Sequence, residues 1–343
     1  MTAYKEAVRL QPNNGRAFAN LANTQYVLDN YPEAIKNYQK AAELKPDLKK
    51  DADQFLTLMG YAYLMTNDFA AAIKTLTQAA AINPQDHLIY VGIGSAQMQF
   101  APPNFPAAIE ALNQAAKLDP EYKDTFLLLT QAHIQSSPRN PNEALQAARR
   151  AEQLAPNSAE TQFFVGAALA IGQLWEPAEK ALEEAVRLDP KNGLMRIQLC
   201  NALMVLKKYQ EGLPQCQEAV RLSDPENRNF ARITLANMYA IGKRYNEAII
   251  ESNAVIKEQP NLFMPYQTLG ITYFLMKKYD KAIVAYKQAI NLQPELAELH
   301  LALGALYWEA KKKDEALKEY AVLLNLNPKY AEQLKIMMTT SKK

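Results

Sequence analysis

The chain has little of the chemistry from which disulfide frameworks, metal sites and membrane spans are built. Its 343 residues include only 2 Cys, 3 His and 11 Gly, and no apolar run approaches the roughly 20 residues that a membrane helix needs. The N-terminal residues 1–6 lack the apolar core of a signal peptide. We therefore expect a folded protein with no transmembrane segment. The cytoplasm is favoured for the chain as given, although a targeting segment upstream of it would change that expectation.

Charge is distributed unevenly along the chain. Residues 1–190 carry 16 Lys and Arg against 21 Asp and Glu, a net −5, whereas residues 191–343 carry 22 against 15, a net +7. The overall net charge of +2 therefore conceals an acidic first part and a basic second part of the chain, and this asymmetry bears on the choice of partner.

Proline reveals the organisation of the chain, because ten of the 19 prolines recur at intervals of 34 to 38 residues, most of them after an apolar residue and one or two polar ones. They are Pro12, Pro46, Pro84, Pro120, Pro156, Pro190, Pro225, Pro260, Pro294 and Pro328. A fixed period of this length predicts a solenoid, in which each unit buries its apolar face against its neighbours.

Each period contains two stretches in which the spacing of apolar residues is that of an α-helix. In residues 269–275 and again in residues 282–290, apolar side chains recur at steps of three and four, with a polar break between the two stretches. Each period therefore predicts a first helix, a tight turn and an antiparallel second helix, which the closing proline ends.

Small residues recur at fixed places in both helices, where they would let helix axes approach closely. The first helices carry Ala22, Gly60, Gly94, Thr130, Gly166, Cys200, Ala236, Gly270 and Gly304. The second helices carry Ala34, Ala72, Ala108, Ala144, Ala178, Gly212, Ala248, Ala282 and Ala316. One face later they carry Ala41, Ala79, Ala115, Ala151, Ala185, Ala219 and Ala289, with the larger Val255 and Leu323 at two positions of this column.

With the turn aromatics Tyr31, Phe69, Phe105, Trp175, Tyr209, Tyr245 and Tyr279, these features resemble the tetratricopeptide repeat family along the whole chain. Pro141 and Lys313 depart from the pattern. The resemblance implies an all-α fold, a right-handed superhelical α-solenoid of stacked antiparallel helix hairpins. Short insertions at 49–51, 101–104 and 136–140 are expected to project from the surface of the protein.

We expect three segments. Residues 1–14 would be the second helix of a truncated repeat, with the helix at Thr2 to Leu10. Residues 15–330 would hold nine repeats, and residues 331–343 a closing helix, from about Tyr330 to Met338, and a polar tail from Thr339. The half-repeat at the start suggests a fragment of something longer.

Catalytic and metal-binding constellations are missing from the pattern. His87, His133 and His300 fall in three separate first helices without metal-ligand spacing, and the pair Gly92 and Gly94 lacks the third glycine and the strand of a dinucleotide loop. Cys200 and Cys216 face the core of one hairpin, where we favour two buried hydrophobes over a disulfide. We expect no catalytic activity, no cofactor and no metal.

The resemblance places binding on the concave surface that first helices line, where peptides or partner helices usually bind. The expected peptide-binding residues are Asn20, Asn23, Gln131, Phe163, Phe164, Gln198, Asn201, Met204, Asn237, Gln267, Thr268 and Phe274. Amides at Asn201 and Asn237, equivalent in adjacent repeats, could hold a peptide backbone, and the alternative is that such residues meet water or belong to the core. The family's cationic clamp for acidic chaperone tails is not assembled.

Basic residues recur beside the turns of four successive repeats and define a cationic rim. They are Lys207, Lys208, Lys243, Arg244, Lys277, Lys278 and Lys312. An anionic partner could bind there, but we favour stabilisation of helix C-termini as the reason for these charges. No aromatic residues are interleaved for base stacking, so specific nucleic-acid recognition is not expected.

The sequence thus predicts a non-catalytic scaffold or adaptor that binds a peptide or protein segment in its groove. Two alternatives stay open: a regulatory or substrate-recruiting arm of a larger enzyme truncated upstream of Met1, and an anion-binding adaptor that uses the cationic rim.

Overall fold

The computed structural model describes residues 1–44 and 52–340, and every regular element in these ranges is an α-helix. The helices are α1 (Thr2–Leu10), α2 (Gly15–Val27), α3 (Tyr31–Glu43), α4 (Ala52–Met65), α5 (Phe69–Ile82), α6 (His87–Gln99), α7 (Phe105–Leu118), α8 (Lys123–Gln135), α9 (Pro141–Leu154), α10 (Ala159–Ile171), α11 (Trp175–Leu188), α12 (Gly193–Val205), α13 (Tyr209–Leu222), α14 (Arg228–Ile241), α15 (Tyr245–Glu258), α16 (Phe263–Leu275), α17 (Tyr279–Leu292), α18 (Ala297–Glu309), α19 (Lys313–Leu326) and α20 (Pro328–Thr340). Pro46, the expected insertion at 49–51 and the tail residues 341–343 lie outside the described residues.

The helices form two compact units, Met1–Leu174 and Trp175–Lys343. Unit 1 contains α1, the hairpins α2–α3, α4–α5, α6–α7 and α8–α9, and then α10; unit 2 contains α11, the hairpins α12–α13, α14–α15, α16–α17 and α18–α19, and then α20. The predicted all-α fold of stacked helix hairpins is confirmed. Its division into nine repeats over residues 15–330 stays a prediction.

Each second helix begins at the residue that the sequence pattern places in the turn. These first residues are Tyr31, Phe69, Phe105, Pro141, Trp175, Tyr209, Tyr245, Tyr279 and Lys313. The two departures from the pattern, Pro141 and Lys313, also start helices. Pro141 fits this position because the N–H that proline lacks is one that the first turn of a helix does not use.

The small-residue positions are buried throughout, as predicted. Ala34, Ala144 and Ala282 of the second helices are completely buried. On the first helices, a Cβ added to Gly94 would lie 2.5 Å from Leu112 Cγ of the partner helix, and one added to Gly60 would lie 2.5 Å from Leu76 Cγ. The hairpins therefore close at distances that only the smallest side chains permit.

We predict that Gly94→Val destabilises the chain by about 1–3 kcal/mol, because the added methyl groups overlap Leu112 in a fully packed site. Urea denaturation followed by circular dichroism measures the shift. The matched control is Gly172→Val, where an added Cβ would make an ordinary contact of 3.4 Å. Equal stability of the two variants would contradict the packing argument.

The turns of unit 2 place lysine in the left-handed region of backbone space. Lys207, Lys243, Lys277 and Lys311 have φ between 59° and 64°. At Lys277 the turn is a Schellman motif, in which the N–H of Lys278 donates to the carbonyl of Tyr273 at 2.8 Å and the N–H of Lys277 donates to that of Phe274 at 2.8 Å. This conformation is costly for a residue with a long side chain.

Lys277→Asn is predicted to stabilise the chain by about 0.5–1 kcal/mol, because asparagine adopts the left-handed region more readily than lysine. The same substitution at Lys287, exposed in the middle of α17, should lower stability slightly through helix propensity. Thermal melting of both variants tests the sign, and a lower melting temperature for Lys277→Asn would be the contrary result.

The two cysteines are bonded, which corrects our interpretation of them as free hydrophobes. Cys200 on α12 and Cys216 on α13 form a disulfide with a Cα–Cα distance of 5.3 Å, and both residues are completely buried. Their positions follow the predicted core faces, so facing pairs in one hairpin meet at the separation that a disulfide requires. The bond crosslinks the two helices of one hairpin.

Thiol titration of the denatured, unreduced chain should find no free cysteine. Reduction is predicted to lower the stability by about 3 kcal/mol, since the bond closes a loop with a sequence separation of 16. A titre of two free thiols in freshly purified chain would show that the bond does not form.

The last helix differs from the expected one. It begins at Pro328 rather than near Tyr330, and it includes Thr339 and Thr340, which we expected in a polar tail. Ala331 and Leu334 of α20 are buried against α18 and α19, so packing extends the helix through this polar sequence. No helix within residues 1–44 and 52–340 has the length and apolar character needed to cross a membrane.

Candidate functional site

Successive first helices contact one another throughout unit 1, and from α12 to α16 in unit 2. In unit 1, α2 contacts α4, α4 contacts α6, α6 contacts α8 and α8 contacts α10; in unit 2, α12 contacts α14 and α14 contacts α16. Among the described helices, successive second helices make no comparable contact, because a first helix lies between them. The side on which helices lie closer together is the concave side, so each unit presents its first helices on an inner face.

One sequence position marks this inner face. The residue after the small one in each first helix is half-buried in all nine cases, which is the exposure expected of a layer that faces solvent on one side. These residues are Asn23, Tyr61, Ser95, Gln131, Ala167, Asn201, Asn237, Ile271 and Ala305.

In unit 1 the inner face contains a cleft of about 430 Å³, which we call the unit 1 cleft. Its lining comes from α4, α6, α8 and α10 and consists of Tyr61, Val91, Tyr122, Lys123, Asp124, Leu127, Leu128, Gln131, Glu160 and Phe164. The expected groove residues Gln131 and Phe164 therefore lie together. Phe163 packs edge-on against Phe164, with ring centroids 5.4 Å apart.

The unit 1 cleft has two carboxylates and one amine at its mouth. Lys123 Nζ lies 3.1 Å from Asp124 Oδ1 and 3.2 Å from Glu160 Oε2. Burial by itself lowers the pKa of Lys123, but hydrogen bonds and attraction to the two carboxylates outweigh it and raise that pKa. Burial, assisted by Asp124, also raises the pKa of Tyr122, which stays a neutral phenol.

In unit 2 the inner face is uncharged where the two equivalent amides lie. Asn201 and Asn237 are on α12 and α14, which are in direct contact. Asn237 Oδ1 is buried and has no hydrogen-bond partner among the described residues. Gln198 on α12 and Gln267 on α16 are half-buried, and Phe274 on α16 is exposed.

Three expected groove residues have other roles. Thr268 is only 2% exposed and its hydroxyl donates to the carbonyl of Met264, so it belongs to the core and cannot line a groove. Asn23 Oδ1 accepts a 2.7 Å hydrogen bond from the buried Tyr38 hydroxyl, and Met204 packs beside the disulfide. Asn20 is half-buried on α2, with its carbonyl accepting from Thr24.

The cationic rim is partly neutralised by the chain's own carboxylates. Lys208 Nζ lies 2.7 Å from both oxygens of the buried Glu179, and Lys312 Nζ lies 2.9 Å from Asp280 Oδ1. Hydrogen bonds to these acids raise the pKa of both lysines. Arg244 pairs with Glu247 and stacks over the Tyr239 ring. Lys207, Lys243, Lys277 and Lys278 are exposed.

The three histidines lie apart from one another, as their spacing indicates. His300 is buried between Glu319, at 2.7 Å, and the carbonyl of Pro294, at 2.9 Å. Burial lowers the pKa of His133, and the ring of His87 packs 4.9 Å from that of Tyr122. Across residues 1–44 and 52–340, no three His, Cys, Asp or Glu side chains converge as metal ligands would.

Comparison with known protein families identifies the family to which this chain belongs. The model of the cilia and flagella-associated protein 70 C-terminal domain, a tetratricopeptide-repeat family, matches residues 2–235, which is more than half of the chain. The chain belongs to this family. A second model, of the tetratricopeptide repeat itself, matches residues 270–311. No curated protein is similar enough in sequence to count as a relative.

Solved tetratricopeptide-repeat structures share the fold. Yeast Tom70 is 14% identical, with a TM-score of 0.51 over 99% of this chain and 92% of its own. The human IFIT1 dimer with m7Gppp-AAAA is 16% identical, with a TM-score of 0.56 over 90% of this chain and 76% of its own. YrrB, described as having an unusual peptide-binding site, is 24% identical with a TM-score of 0.42, over 60% of this chain and 99% of its own. The likenesses to Tom70 and IFIT1 concern the fold alone.

Sequence reasoning missed most of the unit 1 cleft. Tyr61 shares its repeat position with Gln131, Asn201 and Asn237, so that position signals an inner-face residue whatever its chemistry. Asp124 is the second residue of α8 and Glu160 is the second residue of α10, so the repeat pattern puts the two carboxylates at equivalent positions of successive first helices. Their joint contact with Lys123 depends on side-chain conformations that the repeat pattern does not contain.

Proposed function

We propose that the chain is a non-catalytic scaffold that holds a peptide or protein segment on the inner faces of its units. The observation that carries the proposal is the pair of amides on unit 2, where Asn237 Oδ1 is buried without a partner. An unsatisfied buried polar atom costs about 1–3 kcal/mol, so a ligand that forms a hydrogen bond with it recovers part of that free energy on binding.

A bound backbone would supply that hydrogen bond. A side-chain amide offers two donors and one acceptor, which match the carbonyls and N–H groups of an extended peptide irrespective of its sequence. Turning the Asn237 amide towards a ligand breaks no internal hydrogen bond at its oxygen, since it makes none. Asn201, at the same place in the adjacent first helix, would extend the same contact along the ligand.

The uncharged surroundings of these amides favour a peptide over an anionic polymer. The basic residues of the rim lie beside the turns, and Lys208, Arg244 and Lys312 are already paired with carboxylates. One structure with the same fold was solved with the RNA m7Gppp-AAAA, so the fold alone does not choose between ligands. The lining chemistry favours a neutral backbone.

The double variant Asn201→Ala/Asn237→Ala is predicted to weaken partner binding about tenfold or more, through loss of two hydrogen bonds of about 1 kcal/mol each. Its stability should not fall at position 237, because the substitution removes an unsatisfied atom. Affinity capture with the full chain, quantified by mass spectrometry, measures binding, and urea denaturation measures stability.

The matched control is Asn253→Ala/Asn291→Ala, which removes two exposed amides from the second helices α15 and α17. This control should capture the same partners as the native chain. If the inner-face variant also captures the same partners in the same amounts, the proposed use of the inner face of unit 2 is wrong.

A further inference from the structure

The unit 1 cleft has a chemistry different from that of the amide pair in unit 2. Its volume of about 430 Å³ is at the low end of the range for small-ligand sites, so it fits one side chain rather than a folded element. The cleft combines aromatic rings, an aliphatic floor and carboxylates, and each of these restricts the identity of the guest.

The aromatic walls are fixed before any guest arrives. The Tyr61 hydroxyl donates a 2.8 Å hydrogen bond to the carbonyl of Leu88, which holds the ring in one orientation. Gly92 makes room for that ring, since a Cβ there would lie 3.3 Å from Tyr61 Cζ. The Tyr122 ring is supported by the ring of His87, 4.9 Å away. Preformed rings bind a cation over their faces without first becoming ordered.

Charge at the mouth of the cleft is net negative. Asp124 and Glu160 share one amine, Lys123, and both carboxylates remain about half exposed, at 51% and 54%. The nearby Asp86 and Asp119 add to the negative field, since the first raises the pKa of Tyr61 and the second that of Tyr122, each after burial as the main cause. An anionic guest is therefore disfavoured and a cationic one favoured.

The floor determines what carries the cation. Val91, Leu127 and Leu128 line the same cleft as the carboxylates, and an inorganic ion would leave them uncovered. Arginine and lysine bury an aliphatic stem against apolar surface while the charged head stays at the polar end. A guanidinium also stacks on aromatic rings, which favours arginine over lysine.

We propose that the unit 1 cleft binds an arginine or lysine side chain, so that the partner held on this inner face is a basic segment. The inference rests on the proposed function only in taking the ligand to be a peptide. The side chain's cation lies between the rings and displaces Lys123 from one of its two carboxylates.

The test uses the full chain and two fluorescent peptides, Ser-Ala-Leu-Arg-Leu-Ala-Ser and the same peptide with citrulline in place of arginine. Citrulline keeps the shape of the side chain and removes its charge. Fluorescence anisotropy should show about tenfold tighter binding of the arginine peptide, which corresponds to about 1.4 kcal/mol from the cation. Equal affinities, or no measurable binding of the arginine peptide, would overturn the proposal.

Two variants distinguish the proposed role of the charges from a merely structural one. Glu160→Gln should weaken binding of the arginine peptide about threefold to tenfold, whereas Lys123→Met should strengthen it by a similar factor, because it frees both carboxylates. A structural role would weaken binding in both variants, and that result would overturn the proposal. The control Glu110→Gln, exposed on the second helix α7, should change nothing, and circular dichroism establishes that each variant is folded.

A negative result in this test and a negative result for the amide pair can be told apart. The Asn201→Ala/Asn237→Ala variant alters only unit 2, so it should bind the arginine peptide with native affinity. Equal binding of the arginine and citrulline peptides would remove the basic guest and leave the amide pair of unit 2 untouched.

Discussion

The close contact between the helices of each hairpin is the constraint on which the rest of the structure depends. Completely buried alanines in the second helices face first helices whose small residues leave no room for a larger side chain, as at Gly94 against Leu112. Because each helix packs mainly on its sequence neighbours, stability is built locally, and no central core sets the positions of surface residues. The inner face follows from this packing, since close stacking brings successive first helices into contact.

Most of the fold could be predicted from the sequence because a repeated pattern reports the same physical constraint many times along the chain. The turn aromatics, such as Tyr279, fall at the first residue of their helices, and the prolines, such as Pro294, follow helix ends by two residues. The end of the chain was harder, because Thr339 and Thr340 are poor signals of a helix in isolation and become helical through the packing of α20. The disulfide was missed because the period places Cys200 and Cys216 opposite each other without indicating whether their sulphurs are bonded.

The candidate site was only partly predictable for a related reason. Periodicity identifies which residues share a face of a helix, and Gln131, Asn201 and Asn237 are each half-buried on a first helix. It could not separate Thr268, whose hydroxyl turns back onto its own helix, from neighbours that reach solvent. Contacts between different repeats, such as that of Lys123 with Glu160, depend on side-chain reach and lie beyond any single-repeat pattern.

The two inner faces thus carry different chemistry on the same scaffold: neutral amides in unit 2, and rings with carboxylates in unit 1. Site-specific photo-crosslinking tests the central claim, that first helices hold the partner, most directly. A photoreactive residue at Gln198, on the first helix α12, should crosslink to the captured partner, whereas one at Asn253, on the second helix α15, should not. Crosslinks from Asn253 and none from Gln198 would contradict the account.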